Sequence, residues 1–306
     1  MRRTLALAVF TFFSFALLSA HALLSAQAFG GHDHRGLSVN IEDDQPVTSC
    51  DQLHVRADDR EVARAEDRLT VPQTSSTVRM EASQNGGIYV YGWERQEFGI
   101  LNCKIALSDD RATAERKLQE IKMSFDTGQL TVRGPDDGDW TSYLIVHAPR
   151  SSTLSLKGMN GPISVSDLTG KVELRNTNGP LSIGNSSGEI NADIVNGPIS
   201  YAGSSGDIHL RAENGPIAVK LKGTSWNGKG LDAESTNGPL SLNMPNNYVS
   251  GVLVQTRGYS PFSCSGCEGA HKDFDDSNKS VQFGTGSPVV RLSTVNGPVS
   301  INEDVE

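Results

Sequence analysis

The sequence predicts an all-β protein whose larger part is a parallel β-solenoid made of two-strand, 18-residue coils. Three observations support this prediction: a repeated Asn-Gly-Pro turn, a nine-residue period, and hydrophobic residues that alternate with polar ones inside each nonapeptide. A fixed period predicts a repeat architecture, and the alternation predicts short strands with one buried face. A β-prism-like repeat sheet with the same period is the alternative.

The repeated turn begins at six asparagines, which are separated by 18, 18, 18, 23 and 59 residues. Asn-Gly favours tight turns, and proline can open a strand because it has no N–H to donate. The predicted structural turn residues are Asn160, Gly161, Asn178, Gly179, Asn196, Gly197, Asn214, Gly215, Asn237, Gly238, Asn296 and Gly297. Asparagines one strand spacing apart, about 4.8 Å, are expected to hydrogen-bond along their column. We interpret each turn as a structural corner.

Eight consecutive nonapeptides, starting at Ser151, have Leu, Ile or Val at their fourth position and an apolar residue at their sixth. One coil cannot bury this apolar face alone, but a stack of coils can. The 23-residue spacing is one coil plus a five-residue bulging loop, 223–227. The 59-residue spacing equals three coils plus five residues.

Residues 1–28 have the features of a secretory signal peptide. Arg2 and Arg3 precede an apolar core, and Ala26-Gln27-Ala28 forms a small-residue cleavage site. An uncleaved membrane anchor is the alternative. We expect an exported protein in the periplasm, at the cell surface or outside the cell, with no transmembrane span in the mature chain.

The formal net charge of −9 argues against nucleic acid as a partner. The chain has four cysteines, and an even number in an exported protein predicts disulfides. Of the three connectivities, Cys264–Cys267 with Cys50–Cys103 is the most economical.

Three segments are predicted: the signal peptide 1–28, an N-terminal β-rich cap region 29–150, and the solenoid repeat domain 151–306. The cap region contains a helix predicted over 109–121. Ser108 or Asp109 is expected to cap it, because acidic residues fill its first turn. A cap protects stacked coils from edge-to-edge aggregation.

The stretch GGIYVYGWERQEFGILNCKIALSDDRATAERKLQEIKMSF, followed by a strand pair and repeated NGPIS, resembles a widespread bacterial family. Its members are putative-adhesin, β-strand-repeat domains of unknown function. The resemblance runs from Val78 to the C-terminus and implies an exported β-solenoid. It implies no reaction and no catalytic residues.

Two surfaces of the solenoid are candidates for function. The side that follows each Asn-Gly-Pro turn presents small residues, and Ser164, Ser182 and Ser200 form the candidate binding face. The opposite side stacks two charged columns. These columns are Glu173, Asn191 and His209, and Arg175, Asp193 and Arg211. A solvated face and an exposed salt-bridge ladder are the respective alternatives.

No catalytic, cofactor-binding or metal-binding residue is predicted. The nonapeptides lack the aspartates of calcium-binding β-rolls. Cys264 and Cys267 with His271 form an incomplete zinc signature, and metal or redox roles are the alternatives to a disulfide there.

The sequence therefore predicts an exported, non-catalytic, adhesin-like binding or scaffold module. Its predicted partner is an envelope glycan or a surface protein, or another copy of itself. The alternative is a polysaccharide-active β-helix enzyme that uses the charged face around Glu173 and Asp193.

Overall fold

The structure is a computed structural model that describes residues 37–41, 46–257, 260–275 and 278–304. The predicted signal peptide lies outside these residues. The strands before the repeat are β1 (Leu37–Ile41), β2 (Leu53–Ala57), β3 (Glu61–Pro72), β4 (Val78–Glu81), β5 (Gly87–Trp93), β6 (Glu97–Ser108), β7 (Lys122–Asp126), β8 (Gln129–Arg133) and β9 (Trp140–Pro149). In the described residues one α-helix, α1, spans Arg111–Glu120, and short 3₁₀ helices span Cys50–Gln52, before β2, and Cys267–Gly269, near the C-terminal end of the repeat region.

The strands of the repeat region are β10 (Leu154–Asn160), β11 (Ile163–Ser166), β12 (Lys171–Asn178), β13 (Leu181–Gly184), β14 (Glu189–Asn196), β15 (Ile199–Gly203), β16 (Ser205–Asn214), β17 (Ile217–Leu221), β18 (Asn227–Asn237), β19 (Leu240–Pro245), β20 (Ser250–Arg257), β21 (Phe262–Ser265), β22 (His271–Phe274), β23 (Asn278–Phe283), β24 (Thr285–Asn296) and β25 (Val299–Asp304).

Two long sheets form the solenoid. The first, which we call the long-strand sheet, has the order β22-β23-β20-β24-β18-β16-β14-β12-β10-β4-β8-β7. The second, the short-strand sheet, has the order β21-β25-β19-β17-β15-β13-β11-β5-β9-β6-β3. Each coil gives one strand to each sheet, and strands of successive coils are parallel. The predicted all-β parallel solenoid is confirmed.

The nonapeptide period sets the register. Leu154 pairs with Val172, and Val172 pairs with Ile190 of the following coil. These fourth-position side chains are buried in the core between the two sheets. Alternation therefore sends every second residue inward, as the pattern predicts.

The Asn-Gly-Pro corners are held by the expected asparagine ladder. The Asn178 Nδ2 donates to Asn160 Oδ1 at 2.8 Å, and the Asn196 Nδ2 donates to Asn178 Oδ1 at 3.0 Å. The ladder runs through Asn85, Asn160, Asn178, Asn196, Asn214, Asn237 and Asn296. Gly179 has φ 119°, and a Cβ there would lie 2.5 Å from the Gly161 carbonyl oxygen. Glycine is required at this corner because the backbones approach so closely.

The 59-residue spacing does not contain three stacked coils, and that interpretation is wrong. Asn296 bonds directly to Asn237, and β24 lies beside β18. The intervening β20 and β23 pair with each other antiparallel and lie beyond β24. The last coil is thus inserted between β18 and β20, which sequence spacing alone does not reveal.

The 23-residue spacing contains the predicted extra residues, but the segment 223–227 does not simply bulge outward. The Trp226 side chain is only 8% exposed and its Nε1 donates to the Gly206 carbonyl oxygen at 3.2 Å. Its ring lies 6.1 Å from the ring of Tyr201. The indole is buried next to the point where the register between β16 and β18 shifts, between Ser205 and Asp207.

The N-terminal part continues both sheets, since β10 pairs with β4 and β11 with β5. The helix α1 packs on β3 and β6, and Asp110, rather than Ser108 or Asp109, caps it by accepting from the Thr113 N–H at 2.9 Å. Both predicted disulfides, Cys50–Cys103 and Cys264–Cys267, are present.

Candidate functional site

The outer side of the short-strand sheet carries a column of small side chains that we call the serine face. Its central members, Ser164, Ser182 and Ser200, are neighbours on β11, β13 and β15. The column continues through Ala218, Ser241 and Ser300. Within the described residues, the hydroxyls of its three central serines make no hydrogen bond to another protein group. Their hydrogen-bonding capacity is therefore free for a partner.

A group of aromatic side chains borders the serine face on the side of β5. We call this group, Tyr91, Trp93 and His147, the aromatic step. Ser164 pairs with Tyr89, and Ser166 in the next column pairs with Tyr91. The His147 ring lies 5.8 Å from the Tyr91 ring and stacks on Trp93 at 5.2 Å. Burial raises the pKa of Tyr91 to about 12 and lowers that of His147. Sequence reasoning missed this step, although the aromatic run IYVYGW was its signal.

The N-terminal segment covers the sheet on the other side of this step. Val47 and Leu53 pack on Tyr89, Leu101 and Ile145 in a separate apolar cluster. The disulfide Cys50–Cys103 ties this segment to β6. The short-strand sheet therefore has an apolar, covered part and a small-residue, uncovered part.

The outer side of the long-strand sheet is the charged face. Glu173, Asn191 and His209 are register neighbours, as predicted. Arg175, Asp193 and Arg211 form the parallel column, also as predicted.

Ion pairs link successive coils on this face. Lys229 Nζ lies 2.7 Å from Asp207 Oδ2, and this hydrogen bond lowers the pKa of Asp207. Within β16 itself, the His209 Nε2 lies 3.1 Å from Asp207 Oδ1. Arg211 Nε lies 3.5 Å from Glu234 Oε2.

A groove of about 440 Å³ runs along the charged face, across the strands. We call it the axial groove. One wall is the charged column Lys157, Arg175, Asp193, Arg211 and Glu234, and the other is a ridge of Thr177, Val195, Glu213 and Thr236. Asp193 lines the groove, whereas Glu173 and His209 lie in the neighbouring column outside its lining. Of the two predicted columns on this face, only the one that contains Asp193 therefore lines the groove.

The described residues contain no group of three or more His, Cys, Asp or Glu side chains placed to hold a metal ion. Cys264 and Cys267 are bonded to each other, so their thiols are not available as ligands. In the same part of the chain, none of the helices has the length and apolar character that crossing a membrane requires.

The fold and its two outer faces define a β-solenoid repeat protein with extended surfaces at a fixed pitch. Residues 61–257 match the family model described as Toastrack DUF4097, and the chain belongs to this family. The family resemblance seen in the sequence is confirmed. Among curated proteins, none matches this chain.

Three solved structures are similar in fold. A putative cell adhesion protein from Clostridium sporogenes is 14% identical, with 80% of this chain and 100% of that chain covered and a TM-score of 0.34. A putative adhesin from Bacteroides fragilis is 10% identical, with coverages of 79% and 97% and a TM-score of 0.37. A putative adhesin from Parabacteroides merdae is 12% identical, with coverages of 78% and 96% and a TM-score of 0.27. Likeness at this level carries no argument about a ligand.

Proposed function

We propose that this protein is exported and acts as a non-catalytic, adhesin-like binding or scaffold module in the periplasm or at the cell surface. Its proposed partner is an envelope glycan or a surface protein, bound by the serine face. The supporting observation is the column of neighbouring serines whose hydroxyls make no hydrogen bond to any group in the described part of the chain.

The physical basis of this proposal is preorganisation. Each serine belongs to a strand that is hydrogen-bonded on both sides, so its position costs little ordering entropy on binding. The hydroxyls recur at one strand spacing, about 4.8 Å, and hydroxyls both donate and accept. A linear partner with repeated polar groups fits such an array better than a compact one.

The experiment is a glycan array and a peptidoglycan pull-down with protein produced from the full-length chain. Ser182→Arg with Ser200→Arg is expected to abolish binding, because two long cations interrupt the flat face. Ser155→Arg, on β10 of the opposite sheet, is the matched control and is expected to bind normally. Retained binding in the double variant would remove the serine face as the binding surface.

A second candidate function is cleavage of a polysaccharide at the charged face. The axial groove favours it, because Asp193 lines a concave surface of ligand size. Each bound glycan is therefore assayed for cleavage. Product formation that is lost in Asp193→Ala and Glu173→Ala would establish this function in place of the first, whereas binding without cleavage would exclude it for those glycans.

A further inference from the structure

The segment 46–57, which we call the strap, lies on the outer side of the short-strand sheet. Among the described strands, its β2 pairs with β1 alone, and these two strands form a sheet of their own. The turn before β2 satisfies its own backbone, since the N–H groups of Thr48 and Ser49 donate to Gln52 Oε1 at 2.7 and 3.0 Å. A pair of strands by itself is marginally stable in water, so the strap depends on what holds it against the sheet.

Two buried side chains anchor the strap. Val47 and Leu53 are almost completely buried, and both pack on outward side chains of β5, β6 and β9. Arg64 of β3 donates to the Leu53 and Val55 carbonyl oxygens at 3.2 and 3.5 Å. Docking costs conformational entropy along the whole strap, and two apolar anchors offset only part of that cost.

The disulfide Cys50–Cys103 ties the strap covalently to β6. It joins residues that are 53 positions apart in the sequence, so it removes much of the freedom that an undocked strap would regain. Cys50 is half-buried, whereas Cys103 is 2% exposed. The Cys50 sulfur is therefore the one that an attacking thiolate can reach.

The strap covers the aromatic continuation of the serine face. Tyr89 on β5 is the register partner of Ser164, and it lies between Ser164 and Ile145 of β9. Tyr89 and Tyr143 are each 5% exposed. In the described residues, the members of their apolar cluster that lie outside the sheet belong to β1 and the strap. Release of the strap would therefore expose both tyrosine rings beside the serines.

The docked strap leaves a buried polar group without a partner. Among the residues that the structure describes, none forms a hydrogen bond with the Tyr89 hydroxyl, although solvent does not reach it. Burial raises the pKa of Tyr89 well above the ordinary value. A buried hydroxyl without a partner costs free energy that hydration would recover, so this contact favours release of the strap.

We propose that the strap is latched by its disulfide: an external dithiol reduces Cys50–Cys103, the strap leaves the sheet, and Tyr89 and Tyr143 extend the serine face. A thiolate of the dithiol attacks the Cys50 sulfur, the S–S bond breaks, and Cys103 leaves as a thiolate that takes up a proton. The second thiol of the reductant then displaces Cys50. The protein gains two thiols and the dithiol becomes a disulfide, so electrons and protons balance. Release of the strap does not rest on the proposed function, whereas its effect on binding does.

The test is hydrogen–deuterium exchange on protein produced from the full-length chain, before and after reduction with dithiothreitol. Strap amides are expected to exchange about tenfold faster or more after reduction, whereas β13 and β15 keep their protection. Reduction of the folded protein does not require the chain to fold without its disulfide. Cys50→Ser is expected to give the same exchange pattern, and hydroxyl-radical footprinting of this variant is expected to show increased labelling of Tyr89 and Tyr143.

The second disulfide provides the matched control. Cys264 lies on β21, which is paired along β25, and its bond to Cys267 closes only a short local loop. Cys264→Ser with Cys267→Ser is therefore expected to leave strap exchange and tyrosine labelling unchanged. Reduction of this double variant is expected to release the strap as it does in the unaltered protein.

The effect on binding is measured on the glycan array. Aromatic side chains contribute large contact areas, and tyrosine is frequent among the residues that dominate binding energy. Cys50→Ser is therefore expected to bind its glycan about tenfold more tightly than the unaltered protein. The Cys264→Ser with Cys267→Ser variant is expected to bind as the unaltered protein does.

Three outcomes would overturn the proposal. The first is strap exchange and Tyr89 labelling that do not change when Cys50–Cys103 is lost, which would show that the strap stays docked without it. The second is loss of protection that spreads to β13 and β15, which would show that the disulfide stabilises the whole fold. The third is a released strap with unchanged or weaker glycan binding, which would remove its masking role. A strap that is released as expected in a protein that binds no glycan in either state would contradict the proposed function and support the latch.

Discussion

On the serine face, the column from Ser164 to Ser300 carries small uncharged side chains, whereas on the charged face the column from Lys157 to Glu234 carries charged ones. Both columns have the same spacing, because each coil contributes one strand to each sheet. The charged face ties successive coils together with ion pairs, whereas the hydroxyls of the central serines on the other face bond to no group among the residues that the structure describes. The comparison shows that one repeat can carry two different surfaces, since only outward positions are free to vary.

The largest expected effect comes from the core that both faces share. Ile190 on β14 is fully buried, and Ile190→Ala is expected to lower the free energy of unfolding by about 2–5 kcal/mol through a cavity. Asn191→Ala, one residue away on the charged face, is expected to change it by less than about 0.5 kcal/mol. Urea titration of both variants measures this contrast. Equal losses of unfolding free energy in the two variants would show that the outward residues of this column also stabilise the fold.

The next effect comes from the corner that joins the two faces. Gly179→Ala places a Cβ 2.5 Å from the Gly161 carbonyl oxygen at a φ of 119°. The expected loss of stability is about 1–3 kcal/mol, because the backbone must shift or remain strained. Gly184→Ala, where the nearest atom lies at 3.9 Å, is the matched control on the serine side. A thermal unfolding midpoint that is equal in the two variants would contradict the close approach.

A smaller effect is expected along the asparagine ladder. Asn178 donates to Asn160 and accepts from Asn196. Asn178→Ala is expected to cost about 1 kcal/mol, because the column loses two exposed or half-buried hydrogen bonds. Asn296→Ala, at the end of the ladder, removes one such bond and is expected to cost less. Chemical denaturation of both variants tests this order, and the reverse order would argue against a continuous ladder.

The smallest expected effect is a dependence of stability on pH, which distinguishes the charged face from the serine face. The hydrogen bond from Lys229 lowers the pKa of Asp207, and that from Lys171 lowers the pKa of Glu189. Because folding lowers these pKa values, their stabilisation is present above the unfolded-state carboxyl pKa and is lost as pH falls through the lower folded-state values. Both carboxylates are partly accessible to solvent, so the change is modest.

Replacing both lysines, Lys171→Met with Lys229→Met, is expected to flatten this acid dependence of the unfolding midpoint. Lys220→Met on the opposite sheet is the control and is expected to leave it unchanged. An acid dependence that persists in the double variant would locate its origin elsewhere, for example at Asp139, whose pKa Arg60 lowers to about 2 by hydrogen bonding.

Much of the fold follows from the local pattern. Ile163 and Val165 point inward and Ser164 outward because strand geometry alternates, and this alternation survives any arrangement of the coils. The six turn asparagines are in register because they occupy one position of the repeat. The disulfide pairs also follow from the sequence, because pairing the neighbouring Cys264 and Cys267 leaves Cys50 to pair with Cys103.

Parts of the candidate surfaces did not follow from the pattern. The axial groove needs the ridge at Thr177 and Val195 to lie beside Arg175 and Asp193, and its depth depends on side-chain packing across coils. The aromatic step at Tyr91, Trp93 and His147 joins residues from β5 and β9, which are not sequential in any repeat.

The sequence by itself determined the inward and outward positions of the repeat, because a period of two within strands and nine between corners is a local property. Only the tertiary structure decided which coils are neighbours at the ends. Asn237 lies beside Asn296, and Trp226 turns into the core. Which strands are neighbours at the ends depends on pairing between residues far apart in sequence. The entropy cost of closing a loop changes only slowly with loop length, so side-chain packing decides which strands pair.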